Sequence, residues 1–103
     1  GFHSSLMNPA KFRLSKAIKN IPFLKPSCPV YQNVCASGVN DPEELKENLI
    51  AQLTAPVRWT QTIQKMIKDG ASTFTEVGPG NVLQGLVRKI DRSVETYSGN
   101  PTF

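Results

Sequence analysis

Few side chains in this sequence could do chemistry, and their spacing narrows what they could do. His3 is the single histidine, so it is the one side chain whose ordinary pKa lies close to neutral pH. It stands in Gly1-Phe2-His3-Ser4-Ser5-Leu6-Met7, just ahead of a helix start. A general base needs an acceptor to orient it and a proton to take. Ser4 and Ser5 are too near along the chain to offer the ring a hydroxyl in useful geometry, and no Gly-x-Ser-x-Gly elbow occurs. If His3 is a base, its nucleophile lies upstream of Gly1; otherwise it is a loop histidine without a role. A metal site is set aside, because no second histidine or suitable cysteine pair supports one.

Gln52 follows Leu45 by seven residues and so places an amide at the edge of a leucine-lined helical face. It is either a rim residue with its amide in water or an amide or backbone carbonyl aimed into a site, where it could hold an imidazole in one tautomer. Gly78-Pro79-Gly80 ahead of a helix could offer N–H groups to an anion, although a tight strand-to-helix turn explains it equally well. Asn33 is expected to bond neighbouring loops rather than react, and Trp59 is expected in the core. Cys28 and Cys35 are too few for a disulfide framework or a four-ligand zinc site. They read as reduced thiols of a cytoplasmic protein.

The elements that must position these residues are well punctuated. Asn8-Pro9 marks a helix start, and apolar spacing then runs to about Ile21, with Ala10, Leu14, Ala17, Ile18 and Ile21 on one arc. Pro22, Pro26 and Pro29 force an extended connector. Val30–Val34 reads as a short strand ended by Ser37-Gly38. Asp41-Pro42-Glu43-Glu44 opens a second helix with Leu45, Leu49, Ile50 and Leu53 inward. Thr54-Ala55-Pro56 opens a third, ended by Asp69-Gly70. Thr73–Val77 reads as a strand, and Asn81 leads into a helix with Val82, Leu83, Leu86, Val87 and Ile90 on one face. Residues 91–103 read as a polar tail.

Four helices and two strands, with a long helical connection between the strands, require a parallel or non-adjacent strand arrangement within a larger sheet. The expected class is therefore α/β, with residues 1–90 forming the last part of a bigger domain. The opening at Gly1, without a methionine, fits a chain that begins mid-protein.

Charge is unevenly placed. The formal net charge is +4, and residues 1–40 carry Lys11, Arg13, Lys16, Lys19 and Lys25 with no acid. These bases are either a solvated face or a landing surface for an acidic partner. Nucleic acid is disfavoured, because no basic stripe is interleaved with stacking aromatics. Phe12 lies among the bases and is expected to pack outside this segment. At 39% hydrophobic and 19% charged the composition is globular, and no run approaches the ~20 apolar residues of a membrane span.

Four blocks, Gly1-Phe2-His3-Ser4-Ser5-Leu6-Met7, Pro29-Val30-Tyr31-Gln32-Asn33-Val34, Gln52-Leu53 with Pro56-Val57-Arg58-Trp59, and Glu76-Val77-Gly78-Pro79-Gly80-Asn81-Val82-Leu83, stand in an order and spacing that resemble the C-terminal third of malonyl-CoA:acyl carrier protein transacylase. The resemblance runs from residue 1 to about Ile90. It implies the large domain of an α/β-hydrolase-like acyltransferase, with helices packed on two strands of a mostly parallel sheet. It also implies a serine acyl-enzyme, with malonyl-CoA and acyl carrier protein as substrates and no cofactor or metal. His3 matches the family's catalytic histidine, and Gln52 matches the glutamine whose carbonyl orients it.

The elbow serine, the arginine that pairs with the malonyl carboxylate and the oxyanion region have no counterpart in these residues. They should lie upstream, so the chain by itself is expected to be inactive. Acyltransferase domains of polyketide synthases share part of the pattern. The rival reading is a stand-alone, non-catalytic module that uses its basic helix to bind an acidic protein.

Overall fold

A computed structural model describes residues 8–99. The chain divides into two compact units, Gly1–Thr62 and Ile63–Phe103. In chain order the elements are α1 (Pro9–Lys19), β1 (Val30–Gln32), β2 (Ser37–Val39), α2 (Pro42–Gln52), α3 (Trp59–Lys68), β3 (Thr73–Val77), α4 (Val82–Ile90) and β4 (Glu95–Gly99).

In the first unit both anticipated helix starts are capped. The Asn8 side chain accepts from Lys11 N–H at 2.9 Å, and Asp41 accepts from Glu44 N–H at 3.0 Å, with proline opening each helix. α2 packs on α1 and β1. Ile18, Val39 and Leu45 are the buried aliphatics of this unit. Each contributes about 1.5–3 kcal/mol on burial.

The expected strand at residues 30–34 is shorter than read. It turns at Asn33–Ala36 and pairs antiparallel with β2, Val30 opposite Val39 and Gln32 opposite Ser37. Ser37-Gly38, expected only to bound the first strand, is in the returning strand. Ala36 makes the turn possible with a positive φ of 52°.

The apolar arc of α1 is also redistributed. Ile18 and Ser15 are buried, while Leu14 and Ile21 are about half exposed. Phe12 is exposed too, and its ring carries the Lys16 ammonium at 5.7 Å from its centroid. Leu49, expected inward on α2, faces solvent.

In the second unit α3 closes on a helix-ending motif. Gly70 N–H donates to Ile67 carbonyl at 3.0 Å and Ala71 N–H to Met66 carbonyl at 2.9 Å. The motif needs a left-handed residue, which Gly70 supplies with φ 114°. β3 pairs in parallel with β4, Thr73 opposite Glu95 through Val77 opposite Gly99. Residues 95–99, expected in a polar tail, are therefore a strand, and α4 is the crossover between parallel neighbours.

α4 packs on β3 and β4 through buried Gln84 and Val87. Gln84 Nε2 donates to Ser98 Oγ at 2.8 Å, and Arg88 Nη1 to Thr96 Oγ1 at 2.6 Å. Val82, Leu83 and Leu86, expected on the inward face, are exposed, because the helix turns its Gln84–Val87 line to the strands. The α/β character holds, but β1 and β3 are not partners. Each pairs with a strand that its own sequence does not announce.

Candidate functional site

Gln52 is the last residue of α2. Pro56 lacks an N–H and disfavours helical backbone at Ala55, so the helix runs out ahead of it. Successive tight turns carry the chain away: Leu53 N–H to Ile50 carbonyl at 3.1 Å, Thr54 N–H to Ala51 carbonyl at 3.2 Å, and Ala55 N–H to Gln52 carbonyl at 3.4 Å. The glutamine side chain folds along the same loop. Its Nε2 donates to the carbonyls of Ala55 at 3.0 Å and Pro56 at 3.3 Å. With both amide protons engaged by backbone, the orientation of the amide is fixed. Its Oε1 is buried and has no hydrogen-bond partner among the described residues. An acceptor so held costs about 1–3 kcal/mol while unmatched.

The loop is held at its far end as well. The Arg58 carbonyl accepts from Thr62 N–H at 2.9 Å and from the Thr62 hydroxyl at 2.6 Å. Thr62 is 2% exposed, and its Oγ1 also lies 2.9 Å from Asn33 Oδ1. A hydroxyl has one proton for these two acceptors. The Thr62 hydroxyl is therefore shared between the Arg58 carbonyl and Asn33 Oδ1.

Next to Asn33, Gln32 Nε2 donates to Leu45 carbonyl at 2.9 Å. Gln32 Oε1 accepts from Asn48 Nδ2 at 3.0 Å, and Asn48 Nδ2 also lies 3.7 Å from Cys35 Sγ. Asn33, expected to bond neighbouring loops, does so. The β1–β2 turn thereby grips α2 with one residue and the start of α3 with the next. Trp59, expected in the core, is half-buried, and its Nε1 has no partner among the described residues.

Gly78-Pro79-Gly80 does not leave an open anion site. Gly78 and Gly80 take φ values of 130° and 82°, which suit glycine alone. They return the chain so that Glu76 meets the start of α4. Its carboxylate accepts from Leu83 N–H at 3.3 Å and Gln84 N–H at 3.2 Å, while Asn81 makes no side-chain cap bond. The anion at this helix end is part of the protein. The signal available in the sequence was an acid closing a strand just before a glycine turn.

Beside the other end of α4, a cavity of about 540 Å³ is lined by Gly85, Arg88, Lys89 and Arg92. Both cysteines are free, and no group of His, Cys, Asp and Glu among the described residues could hold a metal ion. No helix among them is long and apolar enough to cross a membrane. His3 lies outside the described residues.

No family model matches the chain. It is 42% identical over 97 residues, 94% of its length, to the malonyl CoA-acyl carrier protein transacylase of Bacillus subtilis, and spans 31% of that protein. Among solved structures, the acyl-carrier-protein-S-malonyltransferase of Bartonella henselae aligns with a TM-score of 0.83 at 35% identity, over 94% of this chain and 31% of that one. A malonyl-transacylase in complex with its holo type II polyketide acyl-carrier protein aligns at 0.77 and 33% identity, over 96% of this chain and 31% of that one. The chain is thus similar over nearly all its length to about a third of these transacylases.

Proposed function

We propose that this chain is the C-terminal third of a cytoplasmic malonyl-CoA:acyl carrier protein transacylase of fatty acid synthesis, in which His3 is the general base and Gln52 orients it. The observation that carries the reading is the amide of Gln52. Its donors are engaged by the loop, and its oxygen is buried, fixed and unmatched among the described residues. A neutral acceptor in that state suits the N–H of an imidazole.

In this scheme the serine of the upstream part gives its proton to His3 and attacks the malonyl thioester. His3 returns the proton to the departing CoA sulfur. The carrier's phosphopantetheine thiol then gives a proton to His3 and attacks the acyl ester, and the serine oxygen takes the proton back. No redox change occurs, so the substrates suffice without a cofactor. An amide raises histidine basicity less than a carboxylate would, which suits a site that must prefer a thiol to water. Val82, Leu83 and Leu86 of α4, exposed here, would be covered by the remaining two thirds of the enzyme.

An acidic carrier protein has two basic surfaces to meet in this chain: Lys11, Arg13, Lys16 and Lys19 on α1, and Arg88, Lys89 and Arg92 around the cavity beside α4. Reversing Lys16 and Lys19, or Arg88 and Lys89, should weaken carrier affinity at low salt and leave acyl-enzyme formation from malonyl-CoA intact.

The test is an intact mass measurement of the full-length protein after malonyl-CoA, in the parent, His3→Ala and Gln52→Ala forms. The parent should gain one malonyl group within the mixing time. His3→Ala should acylate at least a hundredfold more slowly, in line with the usual worth of a general base. Undiminished acylation in His3→Ala would refute the role of His3, and a parent that gains no malonyl group would favour the rival binding module, in which only the charge reversals matter.

A further inference from the structure

Gly85 stands in the middle of α4, where glycine is less favourable than alanine. No backbone conformation requires it, because unlike Gly78 and Gly80 it sits in regular helix without a positive φ. Packing does not require it either, since a Cβ at this position would meet no atom within 4 Å. What the missing side chain leaves open is the floor of the cavity of about 540 Å³ lined by Gly85, Arg88, Lys89 and Arg92. That volume falls within the roughly 300–1,000 Å³ of small-ligand sites. Side chains on a helix lean toward its N-terminus, so those three and four residues further on lie over a given position. Arg88 and Lys89 therefore overhang the bare stretch of helix at Gly85.

These cations lack a counter-ion. No ion pair to Arg88, Lys89 or Arg92 occurs among the described residues. Asp91, between Lys89 and Arg92, is engaged by the hydroxyl and amide of Ser93, and Glu95 by the Tyr97 hydroxyl. Arg88 is also held in place, because its Nη1 donates to Thr96 Oγ1 at 2.6 Å. A guanidinium has five N–H donors, so the rest of its fork remains for a ligand. The C-terminal end of a helix carries only about half a negative charge, which three cations outweigh. A carboxylate would balance one of them with two oxygens. A phosphate group brings more oxygen acceptors and, as a monoester, a charge of about −2, and its geometry suits the arginine fork.

We propose that Gly85, Arg88, Lys89 and Arg92 form a binding site for a phosphate group. Two sources offer that chemistry: a free phosphorylated small molecule, and the phosphodiester through which a carrier protein holds its pantetheine arm. The second source rests on the transacylase reading above; the site itself does not.

The experiment titrates the full-length protein with pyrophosphate by calorimetry in about 0.1 M salt. The parent should bind it saturably. Arg88→Gln, which removes charge-assisted bonds, and Gly85→Leu, which fills the cavity floor, should each weaken binding about tenfold or more. Lys68→Gln, at an exposed cation of α3 outside the cavity, should change it less than about twofold. Gly85→Leu should melt at or above the parent temperature, since it removes a glycine from a helix; if it melts lower, Lys89→Gln takes its place with the same criterion. No saturable binding, parent affinity in the cavity variants, or an equal loss in Lys68→Gln would each overturn the proposal.

Apo and holo carrier protein then separate the sources, because only the holo form bears the phosphodiester. Tighter binding of holo than apo carrier in the parent, with the difference lost in Gly85→Leu, assigns the phosphate to the carrier. Equal binding, or a difference that survives Gly85→Leu, assigns it to a free phosphorylated molecule. Pyrophosphate binding without binding of either carrier form would sink the carrier-docking reading and leave the phosphate site standing.

Discussion

The Glu76 carboxylate at the start of α4 is open to a local test. Two amide donors converge on it at 3.2 and 3.3 Å, and Asn81, the residue in the capping position, makes no side-chain cap bond. Glu76→Ala removes the only cap described and the charge that faces the positive end of the helix. Loss of a cap costs about 1 kcal/mol, and loss of a charge at a half-exposed helix terminus costs about 0.3–1 kcal/mol. The sum is on the order of 1.5 kcal/mol, or about tenfold in a local opening equilibrium. Glu76→Gln keeps an acceptor and loses only the charge, which is worth roughly a two- to threefold change.

Amide hydrogen exchange at Leu83 and Gln84, measured by NMR on the full-length protein, reads this directly. Exchange should quicken in the order parent, Gln variant, Ala variant. Added sulfate should slow it again only in Glu76→Ala, where the helix end becomes free to take an external anion. Equal exchange in all three proteins, or equal protection of the parent by sulfate, would refute the assignment of Glu76 as the occupant of that helix end.

Two further expectations concern local structure. Asp41 caps α2 through the Glu44 amide, so Asp41→Ala should destabilise the protein by about 1 kcal/mol, seen as a lower urea midpoint with an unchanged m-value. Asp91 accepts from the Ser93 hydroxyl at 2.6 Å and its amide at 2.8 Å, and these bonds, the side-chain one first, hold its pKa below 3.8. A carboxylate lowered on folding contributes its stability above the ordinary value and loses it as pH falls through the lowered one. The Ser93 amide shift should therefore titrate with a midpoint under 3.8, and a midpoint at or above that value would contradict the bonded turn.

Much of this architecture was legible because its signals are local. Asn8 and Asp41 before proline, and Gly70 after Asp69, act within one helical turn and behave as read. What stayed hidden depends on partners far along the chain. β2 has only Ser37, Gly38 and Val39, too few for an alternating pattern, and exists because β1 lies beside it. Glu95-Thr96-Tyr97-Ser98-Gly99 looks like a tail because nothing apolar repeats in it; parallel pairing with β3 makes it a strand.

The same division runs through the candidate site. Gln52 could be singled out as an amide at a helix edge, since spacing along α2 is enough for that. That its donors are taken by Ala55 and Pro56, leaving the oxygen over, follows from a loop closing on itself. The Asn33–Thr62 contact joins residues 29 apart, and no short-range pattern encodes it. The inward faces of α1 and α4 differ from the expected arcs for one reason. Hydrophobic periodicity finds an apolar arc, and these helices set other residues, Ser15 and Gln84 among them, against their neighbours.

The β3–α4–β4 crossover has a consequence for handling the protein. Its three elements are consecutive in the chain and pack on one another, so closing them costs little loop entropy and they should assemble early in refolding. Among the described residues the parallel pair formed in this way is two strands wide, and in this chain by itself its outer edges offer N–H and C=O groups that another chain can pair with. Recovery from denaturant should then be governed by protein concentration more than by the rate of denaturant removal, with yield falling steeply as refolding chains begin to meet edge to edge.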